Sequence, residues 1–398
     1  VLEKAQEVVG GDVFANIVFA PRNAVALMLQ QSRHFVMSKT GMLQHPEISC
    51  FEVEDYDEFI KNPFDFLVDH YQPRANEAYR ADGAMRALNL LKVAFATMEQ
   101  NAMFGKVIGE IAEKYGYFAP APGTTGPLPI PFDNLADTLR SFSKINFDIR
   151  RCPDKVLSAV EAYMPYCIHT TLRTKPSLLG CNSIKTHMPT FLKTKDFEKF
   201  YWPTFHELVH INAAHGIYAD IFCEDKWDRY IDYLQELPQG TRMYVEYGDP
   251  QQFKDRLGKK FVLGGFYPLV LLKEGTKEQC VDKAKELIDI LAPGGNFYFK
   301  FDKQAYRGTD IKLENYRAVM DYLHENRTYE NPGQLVTQAK REDSIRTGYE
   351  EKYPRFTSKY LMSFDDFKKL YPPADEKAEP FMRRQYEKYT NMAFGFLI

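Results

Sequence analysis

Apolar and polar positions are most clearly patterned in the middle of the chain. Residues 217–222 form a short, mostly apolar run interrupted by Asp220, and the run stops at Cys223-Glu224-Asp225-Lys226. This is the pattern of a buried strand with a polar tip. Trp227, Tyr230, Ile231 and Leu234 then recur at helical spacing, Leu237-Pro238-Gln239-Gly240 breaks the pattern, and a second apolar run follows at 243–247. The unit predicts strand, helix, strand. Further strands are predicted at 13–19, 178–184, 261–265 and 296–301. Helices are predicted at 2–9, 55–60, 63–71, 85–119, 132–142, 153–171, 196–214, 276–291 and 313–325. Thr276 suits an N-cap with Glu278 in the first turn, Pro153 suits a helix start, and Pro165 is expected to kink or end its helix. From 178 onward strand and helix alternate, which calls for a parallel sheet with right-handed crossovers.

Two stretches stand apart from this alternation. Residues 85–119 mix small and apolar side chains over the length of one or two helices in contact with something else, and the small residues permit close helix packing. Residues 119–131, rich in proline and glycine, exclude regular structure and predict a long loop, either a lid or a connection.

Composition narrows the class of partner. A chain of 398 residues makes two average domains or one large α/β barrel with additions. The net charge of -3, with no long basic run, argues against a nucleic-acid surface and leaves small molecules or proteins. Six scattered cysteines without a CxxC pair fit a reducing, cytoplasmic setting and argue against a disulfide framework or a zinc ribbon. No apolar run approaches the ~20 residues of a membrane span. A homo-oligomer is expected.

Parallel sheets closed into a barrel present substrate to the residues just past the carboxyl ends of their strands. That makes Cys223, Glu224, Asp225, Glu246 and Asp249 the first candidates, with Asn182, Lys185 and His187 near the end of the 178–184 strand and Asp302 and Lys303 after 296–301. The alternative is that the acids cap helices and face water. His206-Glu207-Leu208-Val209-His210 has the HExxH spelling, which on a helix sets two imidazoles one turn apart for zinc, with the glutamate as general base. A metalloprotease needs a third ligand. None stands at metzincin spacing, since His215 falls one residue short, so the segment is read as a surface helix.

Four further motifs stand out: Asp55-Tyr56-Asp57-Glu58-Phe59-Ile60 with Pro63-Phe64-Asp65-Phe66; Arg150-Arg151-Cys152-Pro153-Asp154-Lys155-Val156; Lys195-Asp196-Phe197-Glu198-Lys199-Phe200-Tyr201-Trp202-Pro203; and Glu314-Asn315-Tyr316-Arg317-Ala318-Val319-Met320. Together they resemble the uroporphyrinogen decarboxylase superfamily, in its decarboxylase-like branch related to corrinoid-dependent methyltransferases. The resemblance implies an α/β fold, a (β/α)8 TIM barrel with helical additions over 1–330 and a C-terminal extension over 331–398. It also implies a first strand upstream of a segment like 2–9, so the chain is expected to begin inside a longer protein.

Departures from the family patterns shape the expected activity. The late loop reads Asp302-Lys303-Gln304-Ala305-Tyr306-Arg307-Gly308 without the histidine of porphyrinogen decarboxylases, and their early arginine loop is missing. The coenzyme M methyltransferases hold zinc with a His-x-Cys pair where this chain has Phe222-Cys223-Glu224, and with a cysteine in the late loop; neither is intact here. By resemblance to aromatic O-demethylase methyltransferases, a zinc ligand set is drawn from Cys223, Glu224, Glu246 and His187. The implied activity is methyl transfer between a small substrate and the corrinoid of a separate protein, with Glu224, Asp302 and Lys303 catalytic and Asn182, His187, Arg229 and Asp249 at the substrate. The alternatives are a metal-free decarboxylase or lyase using Asp302, Lys303 and Arg307 on an acidic substrate, and a non-catalytic barrel subunit.

Overall fold

The computed structural model describes residues 24–39, 43–116, 129–173, 182–305, 308–326, 343–373 and 375–397, with Glu3, Glu7, Pro176 and Thr328. The strand expected at 13–19, most of the helix at 2–9, most of the 119–131 loop and Arg307 lie outside the described residues. The chain forms two compact units that interleave along the sequence. One comprises Val1–Ala20, Lys106–Asn134 and Cys167–Tyr353, the other Pro21–Gly105, Leu135–Tyr166 and Pro354–Ile398.

The first unit is built on a parallel sheet of β1 (Asn182–Thr186), β2 (Ala219–Lys226), β3 (Arg242–Tyr247) and β4 (Val262–Gly265), neighbours in chain order. Beyond β4 the chain continues the pattern through the parallel bridges Leu263–Phe297 and Tyr267–Phe301. The helices Trp202–Ala214, Ile231–Leu234, Pro250–Leu257 and Lys277–Leu291 fill the crossovers. This is an α/β protein, mostly helical by residue. Thr276 caps the last of these helices, as its sequence predicts, and the Gln279 side chain completes a capping box with it. Gly264 is required: a Cβ there would come within 2.7 Å of the Tyr298 ring, so only glycine lets the 297–301 segment lie alongside β4.

One strand differs from expectation in register. β1 begins at Asn182 instead of ending near it, because the Asn182 N–H donates to the Tyr218 carbonyl (2.7 Å) and the ladder to β2 starts there. Alternation then buries Asn182, Ile184 and Thr186 and leaves Ser183 and Lys185 half-buried on the other face. Asn182 therefore sits at the amino end of the sheet, away from the strand tips.

In the second unit, Phe51, Tyr56, Phe59 and Phe66 are buried and meet edge to face at 4.9 to 5.6 Å. The buried Arg140 guanidinium is held by Asp148 (2.6 Å), whose carboxylate also accepts from Tyr56 Oη (2.9 Å). The Pro153–Leu172 helix does not end at Pro165, as it is long enough to lose one N–H bond and continue. The expected extension is helical over Asp343–Lys352, Phe364–Leu370 and Glu379–Leu397. Within the second unit it docks through Phe394, stacked on Phe64 at 5.2 Å, and through Ser358 Oγ donating to Asp65 (2.5 Å). Among the described residues, no helix is long and apolar enough to cross a membrane.

Candidate functional site

The carboxyl ends of β1, β2 and β3 gather His187, Glu224 and Glu246, and Lys303 joins them from the segment after Phe301. The His187 Nδ1 meets the Glu224 carboxylate, with the two side chains 42 % and 38 % exposed. Asp133 fixes the His187 backbone from behind: this buried carboxylate accepts from the N–H groups of His187 (3.2 Å) and Met188 (2.8 Å) and from Tyr201 Oη (2.6 Å). On the Glu224 side the backbone is held by Trp227 Nε1, which donates to the Glu224 carbonyl (3.0 Å). The β2–β3 register then shifts between Cys223 and Lys226, where Asp225 takes a left-handed conformation (φ 59°). That bulge aims the Asp225 N–H at Glu246 (2.9 Å).

Glu246 also binds the Lys303 ammonium, which in turn donates to Tyr247 Oη (3.2 Å). Partial burial pulls the Lys303 pKa down, but these hydrogen bonds outweigh it and hold the ammonium above its ordinary value. Lys303 is thus a fixed cation and not a neutral amine nucleophile. Below the strand tips, Lys185, Phe222 and Tyr244 form a row across the sheet. Lys185 Nζ donates to Tyr244 Oη (2.7 Å), the Phe222 and Tyr244 rings stack at 4.5 Å, and the Lys300 ammonium lies 3.4 Å from the Tyr244 ring centre.

Other expected site residues have structural duties. Burial alternates along β2 from Ala219 to Glu224, so the Cys223 side chain shares the buried face with Ile221 while Glu224 takes the opposite face. Burial, with a smaller contribution from Asp220, pushes the Cys223 thiol far above its ordinary pKa, which favours the protonated form over the thiolate a metal needs. Asp302 is buried and accepts from the Leu269 N–H (2.9 Å), and burial raises its pKa. Asp249 caps the Pro250–Leu257 helix by accepting from the Gln251 N–H (2.9 Å). Arg229 clamps the carbonyls of Pro189, Thr190 and Leu192 (3.2, 2.6 and 2.9 Å). Asp249 and Arg229 thus anchor backbone.

A catalytic zinc centre takes three protein ligands. His187 and Glu224 supply an imidazole and a carboxylate side by side, but Cys223 points to the other face and Glu246 is engaged by Lys303 and the Asp225 N–H. Among the described residues, no group of three or more His, Cys, Asp or Glu is placed to hold a metal. These residues do not make up the zinc site that the family resemblance implies. The HExxH side chains are likewise occupied: Glu207 accepts from Lys352 Nζ (2.7 Å) and Tyr353 Oη (2.6 Å), and His210 Nε2 meets the Glu236 carbonyl (3.1 Å).

No family model matches the chain, and no curated protein matches it. Sequence reasoning missed Asp133, Tyr201, Tyr244 and Lys300. Tyr298 and Lys300 carry a legible signal, since they alternate with the apolar Phe297, Phe299 and Phe301.

Proposed function

We propose that this protein is an enzyme acting by proton transfer on a small carboxylic acid, a decarboxylase or lyase, with His187 and Glu224 as its acid–base pair. The observation that carries this reading is the His187–Glu224 contact at the carboxyl ends of a parallel sheet, where such folds place their chemistry. Glu224 orients the imidazole. Lys303 supplies a permanent cation for a substrate carboxylate. In the step proposed, the bond from carbon to carboxylate breaks and carbon dioxide leaves. The electron pair stays on a carbon beside the substrate's own electron sink, and that carbon takes a proton from His187, which solvent replaces.

The same reading takes the sheet as part of a closed (β/α)8 barrel. Each strand from β1 to the 297–301 segment neighbours the next one in the chain, whereas an open doubly wound sheet reverses order at a switch point. Methyl transfer to a corrinoid protein is the second reading, favoured by the imidazole and carboxylate donors that His187 and Glu224 place together.

The test is a panel of small carboxylic acids incubated with the protein in D2O, followed by NMR for carbon dioxide release and deuterium uptake, with zinc measured on the same preparation. Replacement of carboxylate by deuterium that disappears in His187→Gln supports the proposal. Stoichiometric zinc together with methyl transfer to or from a cobalamin, and no release from any acid, overturns it.

A further inference from the structure

The Gly83–Tyr115 helix buries only one side of its first half. Leu90 and Val93 pack against Tyr79 and Ala26, and Asn89 Nδ2 donates to the Ala78 carbonyl (2.8 Å). On the other side Met85, Leu88, Leu91, Phe95, Met98 and Met103 are between 38 % and 64 % exposed. At ~100° per residue these six side chains fall within an arc of roughly 140°, opposite the buried face. Ala102 and Gly105 continue the arc, with open space where a Gly105 Cβ would stand. A stripe of large apolar side chains along five turns is not the single, scattered exposure of an ordinary surface.

We infer that this stripe is the interface between two copies of the chain, paired antiparallel about a two-fold axis. The charges along one edge of the stripe argue for a second copy as the occupant. Lys92 and Glu99, both exposed, lie inside one edge of the arc, between the angular positions of Leu88 and of Met85 and Met103. In an antiparallel pair centred between Phe95 and Ala96, Lys92 of each copy faces the other copy's Glu99, and Leu88 faces Met103. The edge is therefore complementary to itself, as a two-fold interface requires, since each copy offers the same surface. A stable interface has an apolar centre and a polar rim, and the apolar stripe with its charges along one edge has that composition. The small residues Ala102 and Gly105 let the two backbones approach where the large side chains end.

Analytical ultracentrifugation of the full chain at micromolar concentration tests the inference, with circular dichroism to follow folding. The wild type is expected to sediment as a dimer and Phe95→Asp as a monomer of unchanged helix content. Lys92→Glu and Glu99→Lys are each expected to weaken the dimer, and the double exchange to restore it. These two residues are exposed, so their variants carry the test even where Phe95→Asp fails to fold. A monomeric wild type, a dimer untouched by Phe95→Asp, or a double exchange no stronger than the single ones overturns the proposal.

Discussion

His34 shows how one buried residue ties stability to pH. Its ring is 2 % exposed, its Nε2 lies 3.5 Å from Cys50 Sγ, and burial, with smaller contributions from His45 and Arg33, pulls its pKa down to about 4. The folded protein thus keeps His34 neutral at pH values where the unfolded chain, with an ordinary value near 6.5, already binds a proton. The stability it contributes is present above that value and is lost as pH falls through about 4, up to ~3 kcal/mol for a shift of this size. Urea unfolding at several pH values checks this: replacing His34 by Leu is expected to flatten the loss between pH 6.5 and 4, and an unchanged slope would contradict the assignment. Neither His34 nor Asp133 announces itself in the sequence. Asp133 holds His187, Met188 and Tyr201 from 54 to 68 positions away, and local pattern carries no information about such partners. Glu224 and Glu246 were legible because a polar tip on an apolar run marks a strand end. Their partners His187 and Lys303 were legible as residues, but not as contacts.

Element by element, strong periodicity and cap chemistry translated directly. The helix predicted at 313–325 is found at Leu313–Glu325, and Thr276 is the N-cap its sequence predicts. Weaker patterns slipped. The Asn-Ser-Ile-Lys-Thr stretch is polar by composition, and it becomes β1 because pairing with β2 buries every second residue. The run at 296–301 makes two isolated bridges and not a full ladder, after a turn in which Gly294, Gly295 and Asn296 all have positive φ. The HExxH helix is the element whose motif most invites a wrong function. Its two imidazoles lie 4.3 Å apart, tilted at 42°, where burial and the neighbouring His210 lower the His206 pKa, and its glutamate is tied to Lys352 and Tyr353. Replacing His206 and His210 together by Ala is therefore expected to leave the metal content of the purified protein unchanged by elemental analysis; loss of a bound metal would contradict the structural reading.

At the scale of the whole molecule, the α/β class follows from alternation between residues 178 and 301, which is local information. The interleaving of two compact units does not, because segments such as Pro21–Gly105 and Pro354–Ile398 associate across hundreds of residues of chain. The central claim is that the chemistry lies at the carboxyl ends of the sheet, on Glu224 and His187. Both side chains are over a third exposed, so their contact is worth ~0–1 kcal/mol to folding, whereas a lost acid–base group costs roughly 100-fold or more in rate. Stability and turnover therefore separate in a single variant, Glu224→Gln. Measured side by side with the wild type on the acid that the panel identifies, Glu224→Gln is predicted to lose at least about 100-fold in turnover while its melting temperature moves by less than about 2 °C. Full turnover in that variant would contradict the account.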